Sequence, residues 1–98
     1  MEELLQFRKE LDELDRKLID TLAERFAICR QVAEYKAERQ IPMMQPGRVL
    51  EVKTRAAQRA GQAGLTEQFA LKLYDLIISE ACRMEDEIIE AAAVTAQH

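Results

Sequence analysis

From Leu4 to Glu38 the chain contains neither glycine nor proline, and its apolar residues recur at helical spacing. A run of that length and period specifies one long helix. Two heptad series pass through it: Leu4, Leu11, Leu18, Arg25 and Val32, and Phe7, Leu14, Thr21, Ile28 and Tyr35. Arg25 interrupts the first series at a position that suits Leu. A guanidinium on an apolar seam costs stability unless an anion meets it there, so Arg25 needs a partner from the protein or from a ligand.

The pattern predicts three helices. The first begins within the opening residues, where Glu2 and Glu3 suit the positive end of the helix dipole, and runs to about Glu38 or Arg39. It spans roughly 50 Å at ~1.5 Å per residue, more than a compact chain of this mass needs. Leu5, Ile19, Leu22, Phe26 and Ala33 widen its apolar face, so it has to be covered from more than one side. Pro42, Pro46 and Gly47 break the pattern, and Met43 and Met44 are expected to tuck the intervening loop inward. A short second helix is expected from about Arg48 to Ala60, carrying Val49, Leu50, Val52 and Ala56. After a turn over Gly61 to Leu65, Thr66 reads as the N-cap of a third helix that runs to about Ala93. The tail from Ala91 to His98 is expected to fray.

The expected fold is all-α: one small domain over residues 1–98, with helices long, short and long. A single copy cannot bury the outer half of the first helix, so an intertwined homodimer is expected. The formal net charge of -4 argues against a general nucleic-acid or anionic-membrane surface, and leaves room only for a concentrated anion site. No apolar run approaches membrane-spanning length, and the N-terminus lacks a basic segment followed by an apolar core, so a cytoplasmic location is expected. Cys29 and Cys82 lie in separate apolar patterns without metal or redox spacing and read as buried free thiols. The only histidine is His98. Neither a zinc site nor a Cys/His nucleophile pair has its materials, and no metal or cofactor is expected.

Several charges stand within apolar stripes. Arg25 and Lys36 are eleven residues apart, so they share nearly one face at roughly 16 Å separation and their side chains can converge on one small anion. Arg8 lies seventeen residues before Arg25, roughly 25 Å away and about 100° around the helix. That is too far to join the same small ligand within one chain, and a partner chain could bring it there. On the third helix Glu85 falls on a stripe with Ile78, Cys82 and Ile89. Burial alone would keep it protonated, whereas a nearby cation would favour the carboxylate. Pairing with a core arginine and a functional role both remain open for it, and a solvated face is the ordinary fate of a helical Arg or Lys.

With those residues in view, the chain resembles the all-helical chorismate mutases of the type II fold and the related isochorismate pyruvate lyases, from Leu4 to about Ile89. The stretch FRKELDELDRKLIDTLAERFAICRQVAEYK resembles their first helix, with the family's arginines at Arg8 and Arg25 and its helix-ending lysine at Lys36. Arg48 falls at the next substrate-binding arginine, and LYDLIISEACRMEDEII resembles the third helix. The resemblance implies an isomerase, a small dicarboxylate substrate, and a pericyclic rearrangement that needs a folded near-attack conformer and stabilisation of charge on the breaking ether oxygen. It implies that Arg25 and a partner chain's Arg8 hold the carboxylates, that Lys36 donates to the ether oxygen, and that Arg48 completes the cationic wall. Val32 and Ile78 would form apolar walls.

Three departures bear on the substrate. Gln45 and Val49 stand where well-known bacterial mutases carry an Asp and a Glu near the substrate's ring hydroxyl. Glu85 replaces a glutamine that is a second donor to the ether oxygen, and Ala81 replaces a nearby serine. A glutamate donates only when protonated, and some fungal members are similar in requiring this. The resemblance therefore implies rearrangement of chorismate to prephenate or of its 4-amino-4-deoxy analogue. The alternatives are an isochorismate pyruvate lyase, since Val49 is similar to those enzymes at this position, and a catalytically silent helical interaction module.

Overall fold

The computed structural model describes residues 1–43 and 45–96, with the side chains of residues 94–96 left aside. Met44, expected to tuck inward, and His98 lie outside the described residues. Three helices follow one another: α1 (Glu2–Glu38), α2 (Pro46–Gln62) and α3 (Glu67–Ala96). The described residues contain no strand.

Helix α1 ends where the periodicity predicts, and its stop is a Schellman turn. Ile41 N donates to the Lys36 carbonyl at 2.9 Å and Gln40 N to the Ala37 carbonyl at 3.4 Å. Gln40 takes φ 55°, a left-handed conformation that glycine usually supplies. The second helix is longer than expected, Pro46–Gln62 rather than about Arg48 to Ala60. Proline needs no backbone donor in a first turn, so Pro46 opens α2 instead of merely preceding it. Its end repeats the same turn with a glycine: Leu65 N bonds the Ala60 carbonyl at 2.8 Å, and Gly64 has φ 84°. Thr66 Oγ1 accepts from Phe69 N at 3.2 Å, the cap that starts α3. Helix α3 continues through Ala96, past the expected end at about Ala93, and the last residues of the tail expected to fray, Gln97 and His98, lie outside the described residues. Its last turns are rich in alanine and contain neither Gly nor Pro, so nothing in them stops a helix.

Helix α3 packs against both α1 and α2. It is the middle layer, and one stripe of it faces inward: Ala70, Ile77, Ala81 and Met84 are buried. Ala57 and Ala60 of α2 and Ala33 of α1 meet it. Alanines at these positions let the helix backbones approach closely, and Lys53 ties α2 to Asp75 of α3 at 2.5 Å. The core is thin as a result: no large side chain among the described residues is fully buried.

What lies outside that core is the first half of α1. Every residue from Met1 to Thr21 is exposed. The members of both heptad series up to Thr21 therefore face away from the chain's own core, while in the second half of the helix Leu22, Phe26 and Cys29 are half-buried and Ala33 is buried. The accessible surface of 8092 Å² compares with about 5,700 Å² for a compact folded chain of this mass. The molecule extends 63 × 27 × 16 Å, and the long dimension is α1 reaching past the other two helices.

Candidate active site

A groove of about 330 Å³ opens where the second half of α1, the start of α2 and the middle of α3 converge. Helical spacing places its α1 wall: Arg25, Cys29, Val32 and Lys36 follow at intervals of four, three and four. Ile78, Ala81, Cys82 and Glu85 form the α3 wall in the same way. Met43, Gln45, Arg48, Val49 and Val52 close the third side from the loop and α2. The groove thus has cations at its ends, apolar walls between them, and one carboxyl.

Each expected site residue has a definite place. Lys36, in the last turn of α1, donates from Nζ to the Met43 carbonyl at 3.3 Å, which holds it against the loop. Arg25 is half-buried; its guanidinium lies 5.8 Å from the centre of the Tyr74 ring and its Nη1 reaches Cys29 Sγ at 3.6 Å. It meets no carboxylate among the described residues. Arg48 is exposed and pairs with Glu51 at 3.1 Å, a contact one turn along α2 that exchanges at little cost. Gln45 donates from Nε2 to the Pro42 carbonyl at 3.2 Å and lines the groove at its loop side. Val32 and Ile78 line opposite walls.

Glu85 is half-buried, and burial pushes its carboxyl above the ordinary value of 4.5. The charge of Lys36 works against that rise and the charge of Asp86 adds to it. Desolvation leads, so the neutral acid is favoured to a higher pH than in water. Burial likewise raises Cys82, with Glu85 and Asp86 contributing, so this thiol stays protonated.

Arg8 stands apart. It is exposed on the first half of α1 and does not line the groove. The two cysteines correct the expectation that they are buried, since both are only half-buried and both face the groove. Their spacing to the charged residues carries the signal: Cys29 follows Arg25 by four positions and Cys82 precedes Glu85 by three. Met43, Val52 and Ile28 also line the site, although in the sequence they are only members of apolar runs.

Donors facing a half-open, largely apolar groove can hold a small dianion in a folded shape and stabilise charge as it develops, chemistry that requires no nucleophile. Three helices ordered long, short and long around such a groove fit an all-helical isomerase of the mutase type. Residues 7–86 match the family described as chorismate mutase type II, and the chain belongs to that family. It is 47% identical to the 4-amino-4-deoxychorismate mutase of Streptomyces venezuelae over 97% of this chain and 92% of the relative. It is 45% identical to the protein of the same name from Streptomyces pristinaespiralis over 84% of this chain, spanning 64% of that longer relative. Similarity extends to the chorismate mutase of Methanocaldococcus jannaschii, at 27% identity over 92% of this chain and 91% of the relative. None of the described helices is long and apolar enough to cross a membrane.

Proposed function

We propose that the groove rearranges 4-amino-4-deoxychorismate by an intramolecular Claisen reaction, in which the ether C–O bond breaks as a C–C bond forms within one molecule. The observation that carries this reading is the placement of Lys36 and Glu85 in one groove with Arg25 and Arg48. The arginines bind the two carboxylates. Lys36 Nζ donates to the ether oxygen as negative charge grows there, and the neutral Glu85 carboxyl donates beside it. Val32, Ile78 and Val49 hold the ring compact, so that the reacting carbons start close together. The choice of the amino substrate is supported by the names of the two Streptomyces relatives and by Gln45 and Val49, which put an amide acceptor and an apolar surface at the edge of the groove.

The working unit in this reading is a homodimer, with Arg8 of one copy completing the site of the other. Support comes from the surface in excess of a compact monomer and from Leu4, Phe7, Leu11, Leu14 and Leu18, all exposed on one long helix. A cytoplasmic setting is supported by the two free thiols.

The test is to incubate the protein separately with 4-amino-4-deoxychorismate, chorismate and isochorismate, separate the products by chromatography and assign them by mass and ring NMR. The expected result is the highest kcat/KM on the amino compound, with a product of unchanged mass. Salicylate and pyruvate from isochorismate, without rearrangement of the other two, would overturn the proposal.

A further inference from the structure

A second cleft, of about 300 Å³, lies beside the groove and shares Arg25, Arg48 and Val52 with it. Arg55, Arg59 and Tyr74 complete its wall. Along α2 the arginines stand at positions 48, 55 and 59, offsets of seven and eleven, so they form one stripe down the helix. Within the cleft lining there are four guanidiniums and no carboxylate. The nearby acid is Glu51, which divides itself between Arg48 at 3.1 Å and Arg55 at 2.6 Å. Arg59 makes no side-chain hydrogen bond or ion pair among the described residues.

This concentration of positive charge runs against the rest of the molecule. Helix α2 holds four Lys and Arg against one Glu, while the chain as a whole is at -4. A dianion meets repulsion from the molecule's net charge and attraction along this stripe. A recess lined by charges of one sign raises the local concentration of the opposite charge. Guanidiniums stay charged at every working pH and match carboxylates geometrically. The exposed pairs with Glu51 offer little resistance to exchange for a ligand carboxylate.

We infer that this cleft is a docking site for the dicarboxylate substrate, in which Arg55 and Arg59 gather the dianion and pass it to the groove across the shared Arg25 and Arg48. Arg55 and Arg59 act before the chemistry, as positioning residues. The inference rests on the proposed turnover of a chorismate-type dianion in the groove.

The experiment compares the full-length protein with Arg55→Gln, Arg59→Gln and the double variant, using 4-amino-4-deoxychorismate and chorismate at about 0.02 M and about 0.5 M ionic strength. Arg83→Gln is the charge-matched control for the single variants, and Arg83→Gln with Lys72→Gln for the double variant; Arg83 and Lys72 are exposed on α3 and outside both clefts. The expected result is a rise in KM of about tenfold for the double variant at low salt, kcat within about twofold of the parent, and convergence of the proteins at high salt. Both controls should keep the parental KM. Any of three results overturns the inference: unchanged KM in the double variant, a loss that persists at high salt or falls on kcat, or an equal loss in the matching control. Size-exclusion chromatography with light scattering is run on every variant, and a KM change that follows a lower oligomeric mass also overturns it. If the parent turns over neither dianion, the proposed function itself has failed and the docking role falls with it.

Discussion

Lys36 and Glu85 reach into one groove from α1 and α3, and the lysine's charge opposes the desolvation that raises the glutamate's pKa. The carboxyl can donate a hydrogen bond only while protonated. Below its raised pKa it is a donor; above it, a carboxylate faces an oxygen that is becoming negative. Turnover should therefore fall as pH rises through a value above 4.5. Glu85→Gln keeps the shape and a donor at every pH. Its kcat profile should be flat where the parent's declines, and two superimposable profiles would remove Glu85 from the chemistry.

Lys36 is held by the Met43 carbonyl at 3.3 Å, so its ammonium is positioned before a ligand arrives. Replacing it with Met keeps the length of the stem and removes the donor. Steady-state kinetics of Lys36→Met should show kcat lower by on the order of 100- to 1,000-fold, the usual cost of losing a donor to a developing oxyanion. The melting temperature should stay close to that of the parent, since the substitution removes one part-buried hydrogen bond and keeps the apolar stem. A variant that retains most of its kcat would show that Lys36 binds without catalysing.

Much of this arrangement is legible in the sequence because a helix converts spacing into direction. Arg25 to Lys36 is three turns, which places both on one face of α1, and that face is the groove wall. Thr66 announces the start of α3 by its side-chain chemistry, and its hydroxyl caps Phe69 N. Other features depend on distances between helices, which periodicity does not encode. Both faces of α1 are apolar, so the spacing alone cannot tell that Leu22, Phe26 and Ala33 are covered while Leu11 and Leu18 stay exposed. Cys29 and Cys82 read as core thiols for the same reason: an apolar stripe looks alike whether it faces another helix or a cleft. The arginine stripe of α2 becomes a cleft only when Arg25 and Tyr74 arrive from the other two helices.

The exposed leucines of α1 predict that association is built on this seam. Leu18 is 55% exposed within a single copy, so a charge there is harmless to an isolated chain. Buried between two copies, an unpaired carboxylate is costly. Light scattering of Leu18→Glu should give the mass of one chain where the parent gives two, with helical content by circular dichroism largely retained at low temperature. An unchanged dimer would place the interface elsewhere.

Arg8 and Arg25 offer a test of sharing between copies. Each single substitution to Ala should abolish most activity if both bind the same substrate. Co-refolding the Arg8→Ala and Arg25→Ala chains produces heterodimers in which one site carries both lesions and the other carries neither. Activity should return to roughly a quarter of the parental value for random pairing, since half the dimers then hold one intact site of two. Heterodimers that form, as seen by native mass spectrometry, and remain inactive would show that Arg8 serves its own chain.

Gln40 holds a left-handed backbone at φ 55° in the turn that ends α1, the place that Gly64 fills at the end of α2 with φ 84°. The two turns make equivalent bonds, Ile41 N to the Lys36 carbonyl and Leu65 N to the Ala60 carbonyl. A side chain in this conformation carries a steric cost that glycine avoids, offset in part by glycine's larger loss of backbone freedom on folding. Gln40→Gly should therefore stabilise the protein by about 0.5–1 kcal/mol, measured by urea unfolding at fixed chain concentration. Gly64→Ala should destabilise it by about 1 kcal/mol through the same conformation, since no atom lies within 4 Å of the added Cβ and backbone strain is the cost that remains. Opposite signs at the two ends would establish that these turns obey one rule; a destabilised Gln40→Gly would mean that the glutamine side chain contributes more than its backbone costs.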